Sequence, residues 1–451
     1  NLTFISIIKR RQEKMSEDVD IDVEYLTRVE GHGNIVVNAK DGDIEKCEWQ
    51  VVEAPRFFES LVVGRSYEEL HHITSRICGI CSIGHTLTSL KATEDAMGIE
   101  ISEQDKLLRR LALHAENMQS HVLHVGYLAL PDLMGAKSVF PLASSHTEEV
   151  KTVIRLHRLA NEMSDLITGR TTHPQRLIPG GFSKIPSEKQ LRELKSRLEG
   201  SFNDLTAVAN LLKKLAPELP DFERETEFIS LTNDNEYALY DGDIASTDTG
   251  VHAVDDYENI TNEYIVPQST AKYAKHNRES YMVGALARLN NNYDKLSPMA
   301  KGIAQKFDLK PVNHNPFMNN VAQLVEVVHS VEDSIEIIEM LLDKGLQPQE
   351  EYHKPEIDVQ AGRGIGAAEV PRGILFHDYT YDEEGICTEA NCVIPTNQNH
   401  GNIQHDMEKM VPNIISKPED EVELTLEMLV RAYDPCISCS THYLDVEFVN
   451  E

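Results

Sequence analysis

Two short motifs carry the densest chemistry in the chain: Arg76-Ile77-Cys78-Gly79-Ile80-Cys81-Ser82-Ile83-Gly84-His85, and Asp434-Pro435-Cys436-Ile437-Ser438-Cys439-Ser440-Thr441-His442. Each Cys-x-x-Cys places two sulfurs within chelating reach, and two such pairs make a four-thiolate site. A structural zinc knuckle gathers its pairs within about 15–20 residues to staple a small loop. Here the pairs lie near opposite ends of a 451-residue chain that is 41% hydrophobic, enough for a large core without a staple. On spacing alone three readings stay open: a catalytic metal centre, a zinc ribbon made of distant halves, and two separate redox dithiols. The cysteines number seven (Cys47, Cys78, Cys81, Cys387, Cys392, Cys436 and Cys439), an odd count and a low density for a secreted disulfide scaffold. They read as reduced thiols, some of them metal ligands, in a cytoplasm.

Other elements must bring the two pairs together. From Glu24 to Val52, β-formers alternate over Tyr25 to Val29, Gly33 to Asn38 and Glu48 to Val52, with a turn at Asp41-Gly42-Asp43. This predicts a small antiparallel sheet. Apolar residues at three-to-four spacing predict helices over 106–130, 148–167, 188–215, 270–289 and 318–342, long enough to pack as a bundle. Asp234 to Pro267 reads as a turn-rich surface excursion, Asp358 to His400 as strand and loop, and Asp420 to Tyr433 as a final helix. The expected fold is α+β and mainly α: a long-helix bundle core with a small N-terminal antiparallel sheet and a β/loop-rich C-terminal part. It is read as one interwoven domain over 15–442, β-rich at 22–65, helical at 66–345, and β/loop with the final helix at 358–442. Asn1 to Lys14 reads as an upstream segment, because Met15 opens an acidic run.

Charge and hydropathy exclude partners. The net charge is −31, which argues against general nucleic-acid binding and against an anionic membrane surface. No apolar run approaches the ~20 residues of a membrane-spanning helix, so direct membrane insertion is not expected. The reading is a cytoplasmic chain.

The flanks of the cysteine pairs narrow the choice. Thr27-Arg28-Val29-Glu30-Gly31-His32, Arg56-Phe57-Phe58-Glu59, Arg170-Thr171-Thr172-His173-Pro174, Pro179-Gly180-Gly181 and Glu369-Val370-Pro371-Arg372-Gly373 stand in order between and around them. With the two cysteine motifs they resemble the large, active-site subunit of nickel–iron hydrogenases, from Tyr25 to His442. Complex I relatives are similar in fold but lack the four cysteines, whose presence here points to a working metal centre.

The resemblance implies roles residue by residue. Cys78 and Cys436 would be terminal nickel ligands, and Cys81 and Cys439 would bridge nickel to iron that carries carbonyl and cyanide ligands. Heterolytic splitting of dihydrogen leaves a proton that needs a base. The Cys436 thiolate would take it, and Glu30 would relay it outward. Arg372 would hang its guanidinium over the metals, oriented with the carboxylate of Asp434. His85 would donate a hydrogen bond to a bridging sulfur. Thr396, in Ile394-Pro395-Thr396, would contact a cyanide ligand, and Pro371 would line the same pocket. Glu59 and His442, with a backbone carbonyl near Cys392, would hold magnesium. Cys392, Cys387 and Cys47 are bystanders as thiols, and His114, His121 and His124 read as packed or hydrogen-bonded interior groups. Where many relatives carry an acidic residue, Gln119-Ser120-His121 offers Ser120, which weakens the case for a second carboxylate over the metals. Tyr443 to Glu451 extends past His442, the kind of tail that a maturation endopeptidase removes in the family, so the mature chain is expected to end at His442.

The activity implied is reversible cleavage of dihydrogen to protons and electrons. With four cysteines committed and three scattered, none are left for iron–sulfur clusters, so electrons must leave through an iron–sulfur small subunit. Diaphorase or other electron-transfer subunits would follow, leading to NAD(P), a deazaflavin or a heterodisulfide reductase. Two alternatives remain: the catalytic subunit of a membrane-attached, energy-converting hydrogenase, and a non-catalytic scaffold subunit with a four-cysteine zinc site.

Overall fold

Alternation does produce an N-terminal sheet, but from a different first strand. In the computed structural model, which describes residues 19–40 and 43–442, strands Val19–Val23, Gly33–Lys40 and Asp43–Val51 pair antiparallel in that order. Ile35, Val37 and Trp49 point inward and are fully buried. Tyr25 to Val29 is a loop instead, with Tyr25 and Arg28 in the left-handed region at φ 62° and 61°. The alternation there misleads because Arg28 turns inward to an ion pair with Asp132 rather than standing on a strand. The expected upstream segment, the centre of the Asp41-Gly42 turn and the C-terminal tail lie outside the described residues.

The fold is α+β and mainly α. Its longest helices are Glu103–Leu123, Thr147–Thr168 and Asn319–Lys344. Ser102 caps the first, its side chain accepting the Asp105 N–H, and Gly169 ends the second with φ 82°. The first passes into a π-helical stretch, His124–Ala129, before the short helix Leu130–Leu133. The run expected at 188–215 is two helices, Glu188–Gly200 and Phe202–Leu215, parted at Ser201. The helix expected at 270–289 is largely wrong. Tyr273–Lys275 and Tyr281–Met282 are strands, and the helix begins only at Ala285, because Gly284 sits at φ 116°. The stretch 234–267 is a surface excursion only in part: Val251 and Ile265 are exposed, but Tyr237, Ala238, Leu239, Tyr240, Ile244 and Tyr257 are buried. Its Asp243–Ser246 and Gly250–His252 extend Glu227–Thr232 into a four-stranded sheet completed by Tyr281–Met282.

The C-terminal part supplies the platform for the site. Gly362–Val370 and Gly373–Tyr381 form a hairpin whose two-residue loop is Pro371-Arg372, and Cys387–Val393 adds a third antiparallel strand. Gly362, Gly364 and Gly366 share one strand face against the helix Ser82–Ala96. A Cβ there would come within 2.4, 2.2 and 2.1 Å of backbone oxygens of Ala96, Ala92 and Thr88, so helix and strand touch backbone to backbone. That contact carries the N-terminal, Cys81 end of the helix to the Arg372 loop. Helix Pro395–Ile414 then starts inside the stretch expected to be strand and loop, and Glu419–Ala432 matches the expected last helix. The first turns of the missed helix bury Asn397, Gln398, Asn399, His400 and Asn402, so its apolar stripe of Ile403, Met407, Met410 and Ile414 begins only after them. Among the described residues no helix is long and apolar enough to cross a membrane.

Candidate metal centre

Cys78 follows the 3₁₀ turn Ser75–Ile77, Cys81 stands at the start of Ser82–Ala96, and Cys436 precedes, and Cys439 lies within, the helical turn Ile437–Ser440. Their four sulfurs lie within 4.8 Å of one another and are buried. The Cys78 and Cys436 sulfurs are 3.4 Å apart, and the N–H groups of Ile80 and Cys81 donate to Cys78 Sγ at 3.3 and 3.2 Å. Arg56 binds the two loops together, donating to the carbonyls of Ile77 and Ser438. His173 steadies the first loop: its N–H donates to Ser82 Oγ at 2.9 Å and its Nδ1 meets the Ser75 carbonyl. Burial pushes the Cys436 and Cys439 thiols well above the usual range. Burial also opposes ionisation of Cys78, but hydrogen bonds from the other three thiols and the charge of Arg372 outweigh it and hold Cys78 well below that range. Four packed sulfurs make a soft donor set suited to late transition metals.

Two buried polar atoms beside the sulfurs lack partners among the described residues, Arg372 Nη1 and His85 Nε2. Both fit a centre that supplies partners of its own. Arg372 is otherwise fixed: Nε donates to the Asp434 carbonyl at 2.5 Å and Nη2 to Asp434 Oδ1 at 2.9 Å. Asp434 holds a left-handed φ of 51° and also accepts from Gln323 Nε2 at 3.0 Å. The ring of His85 is set by His377, Nδ1 to Nε2 at 3.1 Å, and burial lowers its pKa to about 4. Glu30, half-buried, pairs backbone to backbone with the second cysteine loop, the Ile437 N–H donating to its carbonyl at 2.9 Å. Its Oε2 receives Cys436 Sγ and the Ser438 N–H, each at 3.1 Å. Thr396 Oγ1 accepts the Cys436 N–H at 3.0 Å, and the Pro371 carbonyl accepts from Arg288 at 3.0 Å.

A second cluster lies nearby. Glu59 Oε1 and His442 Nδ1 are in contact and buried, and Glu59 Oε2 has no hydrogen-bond partner among the described residues. His442 Nε2 meets Asn397 Oδ1 at 3.3 Å. Glu263, which the sequence reading missed, belongs here: burial and the charge of Glu59 raise its pKa, and Lys272 pairs with it at 3.0 Å. Cys392 is buried beside this cluster, whereas Cys387 and the half-buried Cys47 stand apart from the four sulfurs.

Sequence reasoning also missed the residues that hold the ligands in place. Glu116, fully buried, accepts the N–H groups of Ile83 and Gly84 at 2.7 and 3.0 Å, the first turn after Cys81, which has no side-chain cap of its own. Burial pushes its carboxyl up to about 8. Arg288 sends two bonds to Glu326 and one to Glu369, and also donates to the carbonyls of Val370 and Pro371, fixing the loop that presents Arg372. Removing one member of such a buried group leaves an uncompensated charge, at about 3–5 kcal/mol. His121 joins Glu326 at 2.7 Å, His114 joins Asp333 at 2.6 Å, and His124 sits between Gln323 and the Arg431 carbonyl. All three are buried and bonded, and Ser120 Oγ is buried without a partner among the described residues. Acidic and basic residues spread over five elements carry no spacing signal.

The nickel-dependent hydrogenase model matches residues 56–158 and 218–442, and a HoxL-like model matches residues 20–54. Sulfhydrogenase 1 subunit alpha of Pyrococcus furiosus is 31% identical, over 94% of this chain and 97% of that protein. Sulfhydrogenase 2 subunit alpha of the same organism is 32% identical, over 94% and 99%. A crystal structure of an NAD+-reducing NiFe hydrogenase in the H2-reduced state superposes with a TM-score of 0.84 at 28% identity, covering 94% of this chain and 99% of that one. The chain therefore belongs to the nickel-dependent hydrogenase family as its large, metal-bearing subunit, an oxidoreductase that acts on dihydrogen at nickel and iron.

Proposed function

We propose that Cys78 and Cys436 are terminal nickel ligands, that Cys81 and Cys439 bridge to an iron carrying carbonyl and cyanide, and that protons leave through Glu30. The metal pair, when bound, polarises dihydrogen toward heterolysis. The residues do the rest. Cys436 accepts the proton at Sγ and hands it to Glu30 Oε2, for which the 3.1 Å contact between these atoms is the observation that carries the reading. Arg372, held by Asp434, keeps a cation facing the open side of the sulfurs, where charge separates. His85 Nε2, buried without a partner among the described residues, is the donor available to a bridging sulfur, while Pro371 and Thr396 line the pocket of the iron ligands. Glu59, His442 and the Cys392 backbone hold magnesium, a use supported by the unpartnered Glu59 Oε2 beside the Glu59–His442 contact. Electrons pass to an iron–sulfur small subunit and through further subunits to a soluble acceptor, with NAD(P) favoured by the NAD+-reducing structural neighbour. A maturation endopeptidase cuts after His442, and the assembly works in the cytoplasm.

Glu30→Gln keeps the size and one acceptor oxygen but cannot take a proton. The expected result in the assembled enzyme is normal nickel content with dihydrogen oxidation reduced on the order of 10²-fold or more, the range for loss of general-base catalysis. Oxidation at the wild-type rate would remove Glu30 from the proton path.

A further inference from the structure

The Thr27-Arg28-Val29-Glu30 segment does more than present Glu30. Arg28 occupies a left-handed backbone at φ 61°, which a non-glycine residue adopts only when its surroundings hold it there. Its Nη1 donates to the Leu128 carbonyl at 2.7 Å, and its Nη2 pairs with Asp132 Oδ1. Asp132 sits on the short helix Leu130–Leu133, far in sequence from both cysteine motifs. From the opposite side Arg431 grips the same carboxylate, Nε to Oδ2 at 2.8 Å and Nη2 to Oδ1 at 3.1 Å, while its Nη1 donates to the Thr27 carbonyl at 3.2 Å. The Asp434 N–H in turn donates to the Arg431 carbonyl at 2.8 Å, and Cys436 follows two residues later. The Asp132 and Arg431 side chains are 4% and 1% exposed, and that of Arg28 is 12% exposed.

We propose that Asp132 is a positioning residue for proton exit, a single carboxylate that holds the Glu30 loop through Arg28 and the Cys436 loop through Arg431 at hydrogen-bonding distance. This rests on the reading of Glu30 as the proton acceptor. None of the three clamp residues contributes to the four-sulfur set, so the metal site stays whole when the clamp is opened. Two guanidinium groups on one carboxylate constrain direction as well as distance, which a lysine does not reproduce. A shift of about 1 Å between reacting groups is enough to cost on the order of 10²-fold in rate.

The test opens the Glu30 side alone, with Arg28→Ala in the assembled enzyme, and keeps the Asp132–Arg431 pair. Two exchange reactions separate the steps. Splitting and re-forming dihydrogen interconverts its spin isomers without any proton leaving the site. Exchange of D2 with solvent water also requires the proton to leave. Arg28→Ala is expected to retain nickel and para-hydrogen conversion while solvent exchange falls ~10–100-fold. Arg28→Lys, which keeps a charge on Asp132 but loses the fork, gives the same split in milder form and decides the matter if the alanine enzyme does not assemble. Glu30→Gln is the control. If it blocks solvent exchange and the Arg28 variants do not, the clamp is wrong and the Glu30 reading stands. If Glu30→Gln leaves solvent exchange intact, the Glu30 reading fails and the clamp with it. Loss of nickel or of para-hydrogen conversion in the Arg28 variants would assign Arg28 to structure alone and overturn the proposal.

Discussion

Cys436→Ser is expected to abolish dihydrogen-dependent dye reduction and to deplete nickel in the assembled enzyme. The substitution changes one atom, but that atom acts in three ways. It is a soft ligand in a set of four, and a serine oxygen is hard and stays protonated near neutral pH, so affinity for a late metal falls. It lies 3.4 Å from Cys78 Sγ, inside the packed set of four sulfurs. It also lies 3.1 Å from Glu30 Oε2 and starts the proton path. Loss of a residue that merely supports a ligand costs about 10–100-fold in metal affinity or activity, so loss of the ligand itself is expected to exceed ~100-fold. Retained dihydrogen uptake would overturn the assignment of Cys436 as a nickel ligand.

Arg372→Lys isolates the guanidinium. Lysine keeps the positive charge, yet it cannot bond the Asp434 carbonyl and carboxylate together while aiming a further N–H at the sulfurs. Nickel content should stay normal, because Arg372 is not in the donor set. Turnover should fall ~10²–10³-fold, the range for removing one preorganised donor from a site of charge separation. Parallel measurement of kcat and metal content checks this. Normal turnover with lysine would reduce Arg372 to a structural tie for Asp434.

How legible these features were depended on their kind. The cysteine pairs were readable because chelation imposes a local spacing, and the sulfurs meet although they lie at opposite ends of the chain. The long helices 148–167 and 318–342 were readable because their apolar stripes repeat. The start of the helix Pro395–Ile414 was not, since what its first turns bury is Asn, Gln and His satisfied by hydrogen bonds, such as Asn397 to the Ser440 carbonyl at 2.9 Å, and its apolar stripe begins only at Ile403. Tyr25 to Val29 alternates like a strand but is bent by Arg28 toward Asp132, a partner no local pattern reveals. Glu116, the Arg288–Glu326–Glu369 group and Asp132 escaped for the same reason. Each acts across more than thirty residues or across several elements, and buried charges are set by tertiary geometry rather than by spacing.

The net charge of −31 bore on partners and solvent, and the chemistry depends on four sulfurs and the side chains that face them. Metal analysis with infrared spectroscopy of the co-purified complex tests that claim most directly. Nickel and iron are expected together on this chain, with infrared bands from carbonyl and cyanide and an iron–sulfur partner in the same preparation. Zinc without nickel, and no such bands, would contradict it.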